Sequence, residues 1–323
     1  MAYAASVGLT THLDQGAFEF TGDPGFDGTA SEDLFAMHLP VLAVYAAGGG
    51  TVRLRTNFLH EDSDTSVPGV TARLQHTFKF FGGDMVRTGA IGEFAVGIAD
   101  YAGGPVFEAA AARIAQAGWR LEVHSLTAAD FQTQIEGFEA VNAATDITAL
   151  RWVVAHVPLI TAEFLGRLKK LGGGVNLSSY QYLAGNGNAS RPAGPPFRLV
   201  VESGIAAGMG GDGANIAPLN PWIQAYYATT GRNARGDLIN PGQQLSRAEV
   251  LAMYTRANTW FLGGPDEGQL GVLEVGRLGD VAVLSDDFFA VPDEQLKHIR
   301  SVLTLVGGVV VHDSGELTTS ARV

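Results

Sequence analysis

The chain has 323 residues, of which 46% are hydrophobic and 17% are charged, so it can bury a sizeable core and extensive disorder is excluded. Its formal net charge is −12 and its lysines and arginines are scattered, which argues against nucleic acid or an anionic membrane as the main partner. It has no cysteine, which excludes disulfides and thiolate ligands. No segment approaches the roughly 20 apolar residues of a membrane span. The start of the chain lacks the features of a signal peptide, so a cytoplasmic location is expected.

Short apolar segments that are typical of β-strands recur along the chain. The strand candidates are residues 6–14, 51–58, 75–83, 120–126, 149–157, 173–180 and 206–213. Helical patterns lie between them, among them PVFEAAAARIAQAGW, FQTQIEGFEAVNAA, TAEFLGRLKKLG and FRLVVESG. Gly118 and Gly172 follow two of these helices, where a left-handed residue commonly ends a helix. The alternation predicts a parallel α/β domain.

The pattern changes near residue 265, after a longer helical stretch, LSRAEVLAMYTRANTWFLG. The segments GVLEVGRLGDVAVLSDDFFAV and IRSVLTLVGGVVVHDSGEL alternate like antiparallel strands, with Gly-Asp and Gly-Gly turns. We therefore predict two domains. Residues 1–264 would form a (β/α)8-type TIM barrel that supplies seven of the eight strands such a barrel needs, and residues 265–323 a small β-sandwich-like unit.

Polar residues stand at the ends of several predicted strands, or inside one of them. They are Asp14, Lys79, His124, His156 and Asp212. Each has a structural interpretation: a histidine with satisfied hydrogen bonds, a lysine that extends to the rim, or an aspartate in a turn. The last four together would be costly to bury unpaired, whereas a divalent cation would satisfy all of them. We therefore predict a metal site.

Five segments carry a resemblance to a known family: FKFFGGD, VHSLTAAD, WVVAHV, PPFRLVVESGIAAGMGGDGAN and GVLEVGRLGDVAVLSDD. Their order and spacing resemble the amidohydrolase superfamily, in particular the amidohydrolase 3 branch that contains N-substituted formamide deformylase. The resemblance implies a divalent metal, with zinc expected, held by carboxylated Lys79, His124, His156 and Asp212. It also implies that Asp212 is the general base of a hydrolase acting on a non-peptide carbon–nitrogen bond of an amide, formamide or cyclic imide.

The sequence departs from the family pattern at three places. Gly211 precedes Asp212 where the family has serine, and Gly82-Gly83-Asp84 stands where Asp-Gly is expected. The family's His-X-His pair on the first strand does not occur among the eight histidines. The barrel is therefore predicted to lack its first strand, which would leave two uncovered strand edges and favour a homo-oligomer.

Side chains near the rim that the carboxyl ends of the strands form are candidates for binding a small-molecule substrate. They are Ser179 and Tyr180, at the end of the sixth predicted strand, and Arg198, in the helix after it. The alternative is that they are loop hydrogen-bond partners and a structural cation. Residues 184–196, AGNGNASRPAGPP, have no secondary-structure signal and are predicted to form a mobile lid.

Two other functions are compatible with the sequence. The chain would be a catalytically inactive, truncated amidohydrolase or an interaction protein if the missing His-X-His pair prevents metal binding. Alternatively, Lys79 would form a Schiff base with a carbonyl substrate. The two histidines argue against the second alternative, because Schiff-base chemistry does not require them. Metal retention separates the hydrolase from both.

Overall fold

The computed structural model describes residues 1–16, 38–183, 194–213 and 216–319. Within these residues, seven strands form two sheets, with the strand orders β1-β2-β3 and β4-β5-β6-β7. The strands are β1 (Thr11–Asp14), β2 (Arg53–Phe58), β3 (Val86–Ile91), β4 (Glu122–Ser125), β5 (Val153–His156), β6 (Gly174–Ser178) and β7 (Ala206–Gly210). The pairs β2/β3 and β4/β5 are parallel. An isolated parallel bridge between Ile91 and Leu121 joins the two sheets.

Helices connect the strands, as a parallel arrangement requires. Their bounds are α1 (Ala2–Ser6), α2 (Leu39–Ala46), α3 (Pro68–His76), α4 (Pro105–Gln116), α5 (Ala128–Ala144), α6 (Ala162–Lys170), α7 (Phe197–Ser203), α8 (Pro221–Thr230), α9 (Arg247–Tyr254), α10 (Thr259–Leu262), α11 (Asp293–Leu296) and α12 (Glu316–Thr319). Short 3₁₀ turns span Tyr180–Leu183 and Gly264–Asp266. None of the helices in the described residues is long and apolar enough to cross a membrane.

Local signals explain where several helices begin and end. Thr127 and Asp130 form a reciprocal capping box at the start of α5, so two amide groups that the helix leaves unpaired find acceptors. Gly118 and Gly172 have φ angles of 68° and 69°, which confirms the left-handed positions predicted for them.

The predicted strand at residues 75–83 is wrong. Gln75 and His76 end helix α3, and the residues after them form a turn. Phe80 and Gly82 have φ angles of 55° and 130°, in the left-handed region, which an extended strand cannot contain. The strand in this part of the chain is β3, because Leu54 of β2 pairs with Val86.

The described chain divides into two compact units. The first unit comprises Leu13–Gly49 and Leu54–Val175, and the second comprises Met1–His12, Gly50–Arg53 and Asn176–Val323. Large buried side chains form the core of the first unit, among them Phe107, Phe131, Phe138 and Trp152. In the second unit Phe197, Tyr226 and Tyr227 are fully buried. The predicted boundary between residues 264 and 265 stays a prediction.

The second unit carries an antiparallel sheet with the strand order β10-β9-β8. Its strands are β8 (Val281–Leu284), β9 (Ser301–Val306) and β10 (Val309–Asp313). The guanidinium of Arg53 forms two 2.8 Å hydrogen bonds with Asp280, just before β8, and both side chains are almost fully buried. Asp280 also accepts a 2.7 Å hydrogen bond from the backbone N–H of Gly307, so one carboxylate ties the hairpin turn to the sheet.

Candidate metal centre

Three potential metal ligands meet at the carboxyl ends of β3, β4 and β5. Glu93 follows β3, His124 lies in β4, and His156 is the last residue of β5. The Oε2 atom of Glu93 lies 2.9 Å from His156 Nε2 and 3.6 Å from His124 Nδ1. The two imidazole rings are 4.6 Å apart and nearly perpendicular. All three residues belong to the first unit.

Backbone contacts fix the position of Glu93. Its N–H donates to the carbonyl oxygen of Gln15 at 2.8 Å, and its own carbonyl accepts from the N–H of His124 at 3.0 Å. Gly92, just before it, has a φ of 145° and lies so close to β4 that an added Cβ would be 2.3 Å from the carbonyl oxygen of Glu122. Only glycine fits this position, because it has no Cβ and accepts this backbone angle.

His156 is held in a backbone conformation that side-chain-bearing residues rarely adopt. It has a φ of 70°, and Val157 after it has a φ of 42°. The side chain of His156 is buried. Such left-handed residues cost on the order of 1–3 kcal/mol each and concentrate at functional sites. These backbone angles turn the chain at the end of β5 and leave the imidazole of His156 in contact with Glu93.

The electrostatics of the cluster favour an ionised Glu93. Burial by itself would raise its pKa, but the interactions with the His124 and His156 side chains, and their charges, outweigh burial and hold the pKa at about 2. The carboxylate is therefore negative at neutral pH. Two imidazole nitrogens face it.

The donor set fits a divalent cation. The three side chains each offer a ligand atom, and these atoms lie within 4.8 Å of one another. Nδ1 of His124 is buried and has no hydrogen-bond partner among the described residues, a costly state that a cation would relieve. Two imidazoles and one carboxylate are ligands that zinc accepts, and three protein ligands leave one position open, as catalytic zinc sites require.

The sequence profile of the amidohydrolase family matches residues 24–312 of the chain, which is most of its length. The chain belongs to the amidohydrolase family. The predicted class of enzyme, a metal-dependent amidohydrolase, is thereby confirmed. No curated protein sequence is significantly similar to the chain.

Solved structures of metal-dependent hydrolases share the fold. A mutant of atrazine chlorohydrolase TrzN from Arthrobacter aurescens TC1, complexed with zinc and atraton, is 22% identical with a TM-score of 0.64, covering 95% of this chain and 69% of its own. A triazine hydrolase variant is 22% identical with a TM-score of 0.65, covering 98% and 73%. An uncharacterised metal-dependent hydrolase from Pyrococcus furiosus is 16% identical with a TM-score of 0.55, covering 76% and 53%. These similarities confirm the predicted fold class, an α/β barrel of the TIM type with an antiparallel carboxy-terminal unit.

The structure does not bring Lys79 to the amidohydrolase metal centre. Lys79 lies in the turn between α3 and β3, whereas the prediction placed it inside a strand. Its side chain is exposed, and Nζ donates a 2.6 Å hydrogen bond to the carbonyl oxygen of Gly118. Gly118 itself follows α4 and precedes β4. Lys79 therefore lies at the amino-terminal ends of the parallel strands, away from the ends that carry the histidines.

Glu93 is the residue that the sequence analysis missed, because the strand before it was misplaced. The signal was present: Glu93 follows the apolar run GAIG, just as His156 closes an apolar run. A parallel strand at residues 86–91 would have placed Glu93 beside His124 without any resemblance to a family.

Asp212 follows β7 in the second unit, at the carboxyl end of that strand. Its φ is 50°, in the left-handed region that aspartate tolerates better than most residues. Its carbonyl oxygen accepts a 3.2 Å hydrogen bond from the N–H of Ala217. Asp212 is thus at a strand end, as the family pattern requires, and its role as general base and ligand stays a prediction.

The three residues predicted to bind substrate have different surroundings within the second unit. Arg198, in α7, forms a bidentate ion pair with Glu249 at 2.8 and 3.0 Å and donates to the carbonyl of Gln244 at 2.9 Å. These contacts favour the structural alternative for Arg198. The hydroxyl of Ser179 is buried with no partner among the described residues, whereas Tyr180 begins a 3₁₀ turn. Residues 184–193 of the predicted lid lie outside the described residues.

Proposed function

We propose that this amidohydrolase hydrolyses a non-peptide carbon–nitrogen bond of a small molecule, such as an amide, a formamide or a cyclic imide. The observation that supports it most strongly is the juxtaposition of Glu93, His124 and His156 at three strand ends. These three side chains would hold the divalent cation, and we propose zinc because nitrogen and carboxylate donors suit it. Glu93 thus takes the ligand position that the resemblance assigned to Lys79.

A cation held there would act as a Lewis acid on the attacking water and on the scissile carbonyl. Glu93, already ionised at neutral pH, would supply the negative charge that the cation requires. His124 and His156 would contribute neutral imidazole nitrogens. Asp212, by resemblance, would accept the proton of the attacking water and pass it to the leaving nitrogen.

Substrate contacts are proposed for Ser179 and Tyr180. The buried hydroxyl of Ser179 has no hydrogen-bond partner among the described residues and could bind a polar group of the substrate. Tyr180 is the next residue in the sequence. Arg198 is omitted from this proposal, because its guanidinium is already bound to Glu249 and to a backbone carbonyl. Hydroxyl groups of this kind would orient the polar part of a small substrate.

The second candidate is a catalytically inactive amidohydrolase that serves as an interaction protein. The observation that favours it is the absence of a His-X-His pair among the eight histidines of the sequence. With fewer nitrogen donors the cation affinity would be lower.

Metal analysis of protein purified without chelator or nickel resin separates the two. We expect about one zinc per chain, since the three side chains form one site. Glu93→Gln, His124→Ala and His156→Ala should each lose it, whereas Lys79→Gln, the matched control, should retain it. The absence of bound and titratable metal in the unmodified protein would favour the inactive alternative.

Activity requires a separate measurement on the metal-loaded protein. A panel of an N-substituted formamide, a simple amide, a cyclic imide and a chloro-s-triazine covers the proposed bond class and the reaction named for atrazine chlorohydrolase. Asp212→Asn should lower turnover about 10²- to 10⁴-fold, because a general base is lost. Unchanged turnover in that variant would remove Asp212 from the mechanism.

A further inference from the structure

Helix α5 contacts the end of β4 and the loop between β3 and α4 through two buried polar side chains. Gln134 is fully buried, and its Nε2 donates hydrogen bonds to the carbonyl oxygens of His124 at 2.7 Å and Tyr101 at 3.1 Å. Asp130, one turn earlier, accepts a 3.3 Å hydrogen bond from the Tyr101 hydroxyl. Because the two side chains are four residues apart, they lie on the same face of α5. This face therefore contacts both the strand that carries His124 and the loop that carries Tyr101.

Aromatic rings restrict the imidazole of His124. Phe94 stacks on it with a centroid distance of 5.1 Å and an interplanar angle of 23°. Tyr101 packs edge to face against it at 5.5 Å, and the Phe94 and Tyr101 rings also contact each other at 5.4 Å. The main-chain N–H of His124 donates to the carbonyl of Glu93. Ring and backbone are thus both held, with Nδ1 3.6 Å from the Glu93 carboxylate.

The same contacts connect two of the three ligands. Glu93 and Tyr101 lie in one loop, the segment between β3 and α4. Gln134 donates to the carbonyl of Tyr101 and also to the carbonyl of His124. Asp130 accepts a hydrogen bond from the hydroxyl of Tyr101. The relative position of the carboxylate and the imidazole therefore depends on this network.

We propose that Tyr101 and Gln134 are positioning residues of the metal centre, which hold the His124 imidazole with Nδ1 directed at the cation. The proposal rests on the proposed function, because it requires a cation between Glu93, His124 and His156. Neither residue needs to contact the cation. Residues that orient metal ligands commonly change metal affinity about 10- to 100-fold when they are replaced.

The experiment compares zinc affinity and ligand geometry in matched variants. Tyr101→Leu removes the ring, Tyr101→Phe removes only the hydroxyl, and Gln134→Met removes both hydrogen bonds at similar volume. We expect Tyr101→Leu and Gln134→Met to weaken zinc binding, measured by chelator competition, about 10- to 100-fold. The visible absorption bands of the cobalt-substituted protein should change in both. Tyr101→Phe should show a smaller loss, since the ring contact with His124 remains.

Two controls separate positioning from packing. Phe138→Leu, on the same helix, removes a buried ring that contacts Phe107 and Trp152 and should lower thermal stability without changing zinc affinity or the cobalt spectrum. Gln132→Met, on the exposed side of α5, should change neither. If Tyr101→Leu does not fold, Tyr101→Phe and Gln134→Met carry the test.

The outcomes distinguish this inference from the proposed function. The positioning role would be overturned if Gln134→Met and the Tyr101 variants kept the zinc affinity and the cobalt spectrum of the wild type. If His156→Ala lost the metal in the same experiment, the proposed metal centre would still stand. A wild-type protein that binds neither zinc nor cobalt would overturn both.

Discussion

Backbone angles that side-chain-bearing residues rarely adopt occur at the strand ends that carry the candidate functional residues. His156 and Val157 follow this pattern in the first unit, and Asp212 follows it in the second. Each lies at the end of a strand or just after it, where the chain turns. A residue keeps such a strained conformation only when its contacts with the surrounding structure stabilise it. At His156 these contacts are made by Glu93 and by strand β4.

Gly92 is the residue whose replacement should most directly displace Glu93. A Cβ at this position would be 2.3 Å from the carbonyl oxygen of Glu122, and the φ of 145° is unfavourable for alanine. We expect Gly92→Ala to cost roughly 1–3 kcal/mol of unfolding free energy and to abolish metal binding, because β3 must move away from β4. Urea denaturation and metal analysis measure the two effects.

Gly104→Ala is the matched control for this prediction. Gly104 also has a positive φ, of 93°, but a Cβ there would meet no heavy atom within 4 Å. Its alanine variant should lose stability while retaining metal. Equal metal content in the Gly92 and Gly104 variants would contradict a positioning effect of the close approach between Gly92 and Glu122.

At the scale of the element, helix caps and ion pairs determine where the helices lie. Helix α9 begins with a capping box in which the Ser246 hydroxyl accepts from the Glu249 N–H and the Glu249 carboxylate accepts from Ser246. The same carboxylate binds Arg198 of α7. One side chain thus caps one helix and joins it to another within the second unit. The motif SRAE contains the cap signal, but nothing local predicts Arg198 as the partner, which lies 51 positions away.

Glu249→Gln should show the contribution of this ion pair through its pH dependence. The hydrogen bonds from Arg198, then those from Ser246, lower the pKa of Glu249 from 4.5 to about 2. A carboxyl whose pKa is lower in the folded state stabilises the fold above its ordinary pKa, and this stabilisation is lost as the pH falls to the folded value. We therefore expect wild type to exceed the variant by about 1 kcal/mol at pH 7, measured by urea denaturation.

The difference should shrink from about pH 4.5 and vanish below about pH 2, where both proteins carry a neutral group. Arg198→Met should reproduce the same loss, since it removes the other member of the pair. It should leave the KM for any substrate found unchanged, and a raised KM would restore Arg198 as a substrate contact.

At the scale of the whole molecule, alternation of short apolar segments with helical patterns was enough to predict the fold class and most strand positions. The prediction failed at residues 75–83, because HTFKFF has the composition of a strand. The position of the strand is determined by its pairing with β2, in which Leu54 pairs with Val86 and the N–H of Leu54 donates to the carbonyl of Met85. That contact is not local, so no property of the segment reveals it. Because this strand was misplaced, Lys79 was predicted as a ligand instead of Glu93. His124 and His156 were predicted correctly as neighbours, because the strands that carry them were predicted at the right positions.

Metal removal should show that the centre contributes to the stability of the fold. A ligand that binds only the folded state adds about 2.7 kcal/mol at a free concentration of 100 times its dissociation constant. We expect zinc to raise the thermal transition of wild type and a chelator to reverse the change. His156→Ala should respond to neither.

Because histidine ligands must be neutral to bind, the zinc-dependent increase should decline as the pH is lowered from about 8 to about 5. A zinc effect of equal size in His156→Ala would place the bound ion elsewhere, since this variant lacks one of the three side chains that converge on the site.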